Sequence, residues 1–217
     1  MIGFFGFFWG DLGCRGRELY HATYEILTGM SILKVARMGH PVLRARAKTL
    51  EPADIKSARV QQLIDDMFET MQEYQGIGLA APQVHESVRL FVAGIAPNVD
   101  DDEDDDEEED RVPLMALINP EITVVGDETA DEWEGCLSIP DIRGRVTRAR
   151  EIKVKAYDRK GRRVEINARN FTARVIQHET DHLDGVLFFD RMASLQTLTY
   201  LDEFSKYWSR GRNVREE

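Results

Sequence analysis

Eleven consecutive acidic residues, DDDEDDDEEED at positions 100–110, constrain the fold of this chain more than any other feature. Neighbouring like charges repel one another, and a segment without apolar side chains has no face to bury in a core. The run therefore predicts a solvated, disordered loop insertion, which we place at residues 97–113. Binding of a metal ion or a basic partner is the alternative role for such a run.

The net charge of the 217-residue chain comes from this run alone. The formal charge is −11 at pH 7, and setting the run aside leaves 28 of the 39 Asp and Glu residues against 28 Lys and Arg. A chain that is otherwise neutral shows no basic bias toward nucleic acid, and no apolar stretch reaches the roughly 18 residues of a membrane span. Its two cysteines, Cys14 and Cys136, do not form a disulfide framework. These features predict a cytoplasmic protein with no membrane span and no disulfide partner.

The beginning of the chain differs in character from the remainder. Residues 1–29 are aromatic and Gly-rich, lack the basic start of a secretory signal, and carry acidic residues that are unusual in a transit peptide. From Met30 the sequence MSILKVARMGHPVLR alternates apolar and polar residues. We therefore expect residues 1–29 to be a non-core extension, residues 30–210 to form one domain, and residues 211–217 to be a flexible tail.

Hydrophobic periodicity indicates an α+β domain. Apolar residues at helical spacing predict a core helix at 57–74 and a second helix from about Phe171 to Leu183, capped by Gly185. A third helix is expected at 194–208. Strand-like segments lie at 88–95, 114–118, 121–125, 151–158 and 164–168.

The stretch QHETDHLDG, residues 177–185, indicates a metal site. His178 and His182 are four positions apart, so on a helix both imidazoles project from one face and reach one metal ion. Glu179 lies between them and is placed to act as a general base. A third ligand is needed, and the sequence leaves two choices open: Glu203 downstream, as in a zinc endopeptidase, or Cys136 upstream.

Three segments, in this order, resemble the signature motifs of peptide deformylases: GIGLAAPQ at 76–83, EGCLS at 134–138, and QHETDHLDG. The similarity extends over most of residues 30–192. It implies that residues 30–210 form a catalytic domain with antiparallel or mixed β-sheets packed around a central metal-binding HExxH helix. It also implies a hydrolase of protein biosynthesis, which removes the formyl group from N-formylmethionine at the start of a nascent peptide.

The resemblance implies a role for each motif residue. Cys136, His178 and His182 would bind one Fe²⁺ ion, for which Ni²⁺, Co²⁺ or Zn²⁺ can substitute. The Gln83 side chain and the Leu137 backbone N–H would stabilise the oxyanion formed when water attacks the formyl carbon. Glu179 would move the proton from that water to the leaving amine.

Further residues are implied by the same resemblance. Substrate contacts are expected from Gly76, Ile77, Gly78 and Arg143, although a solvated surface charge is the alternative for Arg143. Arg148 is expected to pair with Glu134 and support the cysteine loop. Transient ribosome association is also implied. Two rival functions remain at this point: an endopeptidase that uses Glu203, and a related protein that binds formylated peptides without turnover.

Overall fold

The computed structural model describes residues 31–95 and 112–209 of the chain. The extension predicted at 1–29, the acidic run and the tail at 211–217 lie outside these residues. Of the loop expected at 97–113, only Val112 and Pro113 are described. Val112 is buried in the core, and its carbonyl accepts a hydrogen bond from the N–H of Ile95 at 3.1 Å.

Two antiparallel sheets form the framework. The strands in chain order are β1 (Gly78–Ala80), β2 (Leu90–Ala93), β3 (Met115–Val124), β4 (Thr129–Cys136), β5 (Ile139–Ala149), β6 (Glu151–Tyr157), β7 (Arg163–Arg169) and β8 (Thr199–Tyr200). One sheet has the order β1-β2-β3-β6-β7, and the other has the order β4-β5-β8. All of these neighbours pair antiparallel. The predicted α+β class with antiparallel sheets in one domain is confirmed.

Helix α1 (Ala58–Glu73) packs its apolar stripe into the core, close to the predicted span 57–74. Ser57 caps it, since its side chain accepts a hydrogen bond from the N–H of Val60 at 3.3 Å. The buried residues of the helix include Val60, Ile64, Met67 and Met71, and their spacing is the one that predicted it.

Helix α2 (Asn170–Leu183) is buried along most of its last three turns and contacts strands of both sheets. It ends where Gly185 adopts a positive φ of 74°, as expected for a capping glycine. A Cβ at Gly185 would lie 2.7 Å from the carbonyl oxygen of Arg44, so a larger residue would not fit. The helix therefore ends just after His182, the last residue of the predicted metal site.

Two expectations need correction, and two strands beside a motif were missed. The two strands predicted at 114–118 and 121–125 are one strand, β3, with a register shift between Ile118 and Glu121, where Asn119 has a positive φ of 52°. Strands β4 and β5, which surround EGCLS, were not predicted. The third helix is wrong in most of its length: residues 194–208 form a 3₁₀ turn at Leu195–Thr197, then β8, and only then helix α3 (Leu201–Tyr207).

The helix expected at 194–208 is absent over most of its length for a physical reason. Thr199 and Tyr200 pair with Arg143 and Ile142 of β5, so the backbone is used as a strand where a helix was expected. Leu195 is 67% exposed, so the apolar stripe that suggested the helix is not a buried face. No helix in residues 31–95 and 112–209 is long and apolar enough to cross a membrane.

Candidate metal centre

The three predicted ligands come together from two elements. Strand β4 ends at Cys136 and β5 starts at Ile139, and an irregularity in the pairing between Gly135 and Cys136 marks the tight connection. Helix α2 supplies His178 and His182 from one face. The ligating atoms of the three residues all lie within 4.8 Å of one another, and they form the only such group of three or more among the described residues.

The geometry and chemistry of this group fit a divalent transition metal. Metal–sulfur and metal–nitrogen bonds of about 2.3 Å and about 2.1 Å at a tetrahedral angle separate the two ligand atoms by about 3.6 Å. Cys136 Sγ lies 3.2 Å from His182 Nε2, which is close to that separation. Burial opposes ionisation of the Cys136 thiol, but the neighbouring imidazoles of His182 and His178 outweigh burial and hold the pKa of the thiol well below its ordinary value. A thiolate with two imidazoles suits zinc, iron, cobalt or nickel.

Glu134 organises the buried surroundings of the ligands. Its carboxylate lies 3.0 Å from His178 Nδ1, and this contact leaves Nε2 of that ring for a metal. Arg148 donates two hydrogen bonds to the same carboxylate, at 2.9 Å and 3.0 Å. Burial alone would raise the pKa of Glu134, but the contacts with His178 and Arg148 hold it well below its ordinary value. The structure thus places Glu134 and Arg148 in contact, as the resemblance suggested.

Two residues of this buried network were missed in the sequence. Arg174 donates to Glu134 at 2.7 Å and to the Val146 carbonyl at 2.8 Å. Asp181 accepts a hydrogen bond from Arg148 at 2.5 Å. A signal existed for both, because Arg174 lies one helical turn before His178, and Asp181 is inside the QHETDHLDG motif.

The Gln83 side chain points its amide nitrogen at the ligands. It lies in a 3₁₀ turn, Ala81–Val84, and its Oε1 accepts a hydrogen bond from the N–H of Ala80 at 2.8 Å. Nε2 is therefore the group that lies 3.5 Å from Cys136 Sγ and 3.2 Å from Ser138 Oγ. A neutral donor held in this orientation is suited to an oxyanion.

Glu179 is buried beside the ligands, and Oε2 of its carboxylate has no hydrogen-bond partner among the residues that the structure describes. Burial raises its pKa to about 7. Gly78 is the reason that this carboxylate fits, because a Cβ at position 78 would lie 2.2 Å from Glu179 Oε1. Gly76 in turn leaves room for Leu137, whose Cδ1 would lie 2.8 Å from a Cβ at position 76.

A cleft of about 280 Å³ opens onto these groups. Its lining includes the expected substrate residues Gly76, Ile77, Gly78 and Arg143, together with Gln83, Cys136, Leu137, His178 and Glu179. Strands β1 and β4, which carry part of this lining, each pair with one neighbour only, so each is an edge strand of its sheet in the part of the chain described.

Arg143 and Glu203 have different positions relative to this cleft. The Arg143 guanidinium lies over the backbone of Gly135, where a Cβ would come within 2.0 Å of Nη1. Arg143 is therefore a cationic part of the cleft wall. Glu203, the alternative metal ligand, is exposed on α3 and is not part of the ligand group.

Comparison with known proteins decides the family. A family model described as polypeptide deformylase matches residues 32–198, which is well over half of the chain. This chain belongs to the peptide deformylase family. Peptide deformylases are metal-dependent hydrolases that remove N-formyl groups from nascent peptides.

Individual deformylases show how far the similarity extends. Peptide deformylase 2 of Nostoc sp. is 43% identical over 169 residues, which cover 77% of this chain and 90% of that protein. Peptide deformylase 1 of Bordetella pertussis is 43% identical over 77% of this chain and 92% of its own length. Among solved structures, the Met-Ala-Ser-bound class I type b peptide deformylase of Acinetobacter baumannii matches with a TM-score of 0.68 and 37% identity, covering 76% of this chain and 100% of that one.

Proposed function

We propose that this deformylase hydrolyses the N-terminal formyl group of N-formylmethionine peptides at the centre formed by Cys136, His178 and His182, and that it releases formate. One observation carries the proposal: two members of a group of three metal-ligating residues, Cys136 and His178, line a cleft. The same cleft is lined by a buried carboxylate, Glu179, and a fixed amide donor, Gln83. We propose Fe²⁺ as the ion, with Ni²⁺, Co²⁺ or Zn²⁺ as substitutes. Bound there, a divalent ion would polarise the formyl carbonyl and lower the pKa of a water molecule.

In the proposed reaction, Glu179 moves the proton. Water adds to the formyl carbon, the C–N bond breaks, and the products are formate and a free amino group. The Glu179 carboxylate accepts a proton from the attacking water and delivers it to the leaving amine. A pKa of about 7 suits a group that must both accept and donate near neutral pH.

Two donors would stabilise the developing oxyanion in this reaction. Gln83 Nε2 is held in place because its Oε1 is engaged by the N–H of Ala80. The backbone N–H of Leu137 follows Cys136 directly and requires no particular side chain. Removal of one such donor typically raises the barrier by about 3 kcal/mol.

The carboxylate of Glu134 with the residues that contact it, Arg148, Arg174 and His178 (the Glu134 cluster), positions the ligands in this mechanism. The contact with His178 Nδ1 fixes the ring orientation that presents Nε2 to the metal. Arg148 and Arg174 hold the Glu134 carboxylate from two other sides, so the carboxylate stays charged although it is buried.

The substrate is proposed to bind as an extended strand between β1 and β4. Among the described residues both are edge strands that contribute to the cleft lining, and Gly76 and Gly78 allow a peptide backbone to approach closely. Ile77 and Arg143 would contact the peptide from the cleft wall. The A. baumannii deformylase with Met-Ala-Ser bound supports a peptide as the ligand.

We further propose a compartment, a partner and domain limits for the protein. We propose a cytoplasmic location, because a reduced Cys136 thiol is required as a ligand and a reducing compartment protects it. The nascent-peptide substrate supports transient association with the ribosome. We also propose that residues 30–210 form the catalytic domain, that 1–29 are a non-core extension, and that 211–217 are a flexible tail; the family match over 32–198 supports the first of these.

Formate release from formyl-Met-Ala-Ser tests the proposed function. The protein is purified without oxygen, loaded with Fe²⁺ or Ni²⁺, and compared with two variants. Cys136→Ser should lose both metal and activity, and Glu203→Gln, which changes an exposed carboxylate outside the ligand group, should lose neither. Absence of formate from the loaded wild-type protein would overturn the proposal.

A further inference from the structure

Trp133 is a part of the cleft wall to which the proposed mechanism gives no role. It lies on β4, three positions before Cys136, and it lines the cleft beside Gly135. Its indole packs against two aromatic rings of the C-terminal segment. The ring centroids lie 5.1 Å from that of Phe204 and 5.6 Å from that of Trp208.

The segment that supplies these rings is tied to the same sheet. Strand β8 pairs with Ile142 and Arg143 of β5, and α3 follows β8 directly. No residue of α3 is buried, so this seven-residue helix adds little to the hydrophobic core. Instead, Phe204 in this helix and Trp208 directly after it contact Trp133, one residue of the cleft wall.

The position of Trp133 along β4 indicates which part of a substrate it meets. Residues in a strand rise by about 3.3 Å each, so Trp133 lies about 10 Å along β4 from Cys136. An extended peptide advances by about 3.3–3.6 Å per residue. A peptide that runs along the β4 edge with its formyl group at Cys136 therefore brings its third residue to Trp133.

We propose that Trp133 determines specificity by contacting the side chain of the third substrate residue, and that Phe204 and Trp208 are positioning residues that hold its indole. The proposal rests on the proposed deformylase activity. A large apolar ring surface favours an aromatic third residue over glycine. The C-terminal helix would thus tune substrate choice without contacting the substrate itself.

Two peptides of equal length test this proposal: formyl-Met-Ala-Phe and formyl-Met-Ala-Gly, assayed with the full-length, metal-loaded enzyme. Wild type is expected to prefer the Phe peptide by about fivefold to tenfold in kcat/KM, mainly through KM. Trp133→Ala should bring the ratio of the two kcat/KM values close to one. Trp133→Phe should restore most of the preference, and Phe204→Ala should reduce it.

A matched control lies on the same helix. Tyr207 is 46% exposed and its ring contact is with Lys206, so Tyr207→Ala should keep the wild-type ratio. An equal fall on both peptides in Trp133→Ala, or an unchanged ratio, would overturn the proposal and leave Trp133 a structural role. If Trp133→Ala does not fold, as judged by thermal unfolding, Phe204→Ala carries the same test. Failure of the underlying function is a separate result, because wild type would then release no formate from either peptide.

Discussion

Gly78 is expected to control catalysis through the space that it leaves for Glu179. In Gly78→Ala, the new Cβ would lie 2.2 Å from Oε1, 2.6 Å from Cδ and 2.8 Å from Cγ of Glu179. Ordinary contacts are longer than about 3.4 Å, so the whole carboxylate must move by roughly 1 Å. A displacement of about 1 Å at a reacting group costs on the order of 10²-fold in rate. We therefore expect kcat for formyl-Met-Ala-Ser to fall about 100-fold.

The assay separates this effect from loss of metal or fold. Metal content should stay at the wild-type level, because none of the atoms that a Cβ at Gly78 meets belongs to Cys136, His178 or His182. Gly76→Ala is the matched comparison, since its Cβ meets the flexible end of Leu137 and not the carboxylate. It should reduce kcat by only a few-fold. A Gly78→Ala enzyme that retains metal and turns over within threefold of wild type would refute the reasoning.

Three further outcomes are expected. Glu134→Ala leaves the buried cations Arg148 and Arg174 without their shared partner, so the free energy of unfolding should fall by about 3–5 kcal/mol. Loss of the His178 contact should weaken metal affinity about 10- to 100-fold. Equilibrium denaturation and metal titration measure the two effects, and wild-type values in both would contradict this role. Gln83→Leu should lower kcat/KM about 10²-fold with metal retained, corresponding to about 3 kcal/mol of lost oxyanion stabilisation; a change below threefold would exclude Gln83 as a donor. Chelation should abolish formate release and lower the melting temperature, and Ni²⁺ or Co²⁺ should restore both; activity that survives complete metal removal would count against the proposed chemistry.

Sequence periodicity predicted the helices and strands that bury one face and expose the other. Helix α1 follows the apolar spacing of Val60, Ile64, Met67 and Met71, and α2 follows the register that ends at Gly185. Both are long enough for the period to be unambiguous. These two helices and the alternating strands β6 and β7 were sufficient for the α+β class.

Shorter elements of mixed exposure were not predictable in the same way. Residues 194–208 carry leucines at helical spacing, but the pairing of Thr199 and Tyr200 with β5 is a tertiary interaction that local pattern does not record. Strand β4 alternates weakly because it is partly exposed. For residues 194–208, tertiary pairing overrode local propensity.

The candidate site was predictable to the extent that its residues fall inside motifs. The three motifs named Cys136, His178 and His182, and the structure brings their ligating atoms together. Arg174 and Trp133 lie outside the motif residues that the resemblance names, and their importance depends on contacts across strands and helices. Such contacts arise from the packed fold and are not encoded in local spacing.

The Glu134 cluster has a consequence for how the metal ion binds and exchanges. Its hydrogen bonds to His178, Arg148 and Arg174 join protein groups to one another, so they orient a metal ligand through contacts that do not involve the ion. In small zinc domains the ion and the fold are lost together, because binding energy is folding energy. Here a ligand is oriented by protein contacts, so the ion would bind to a site that is largely formed. One metal would then exchange for another while the chain stays folded.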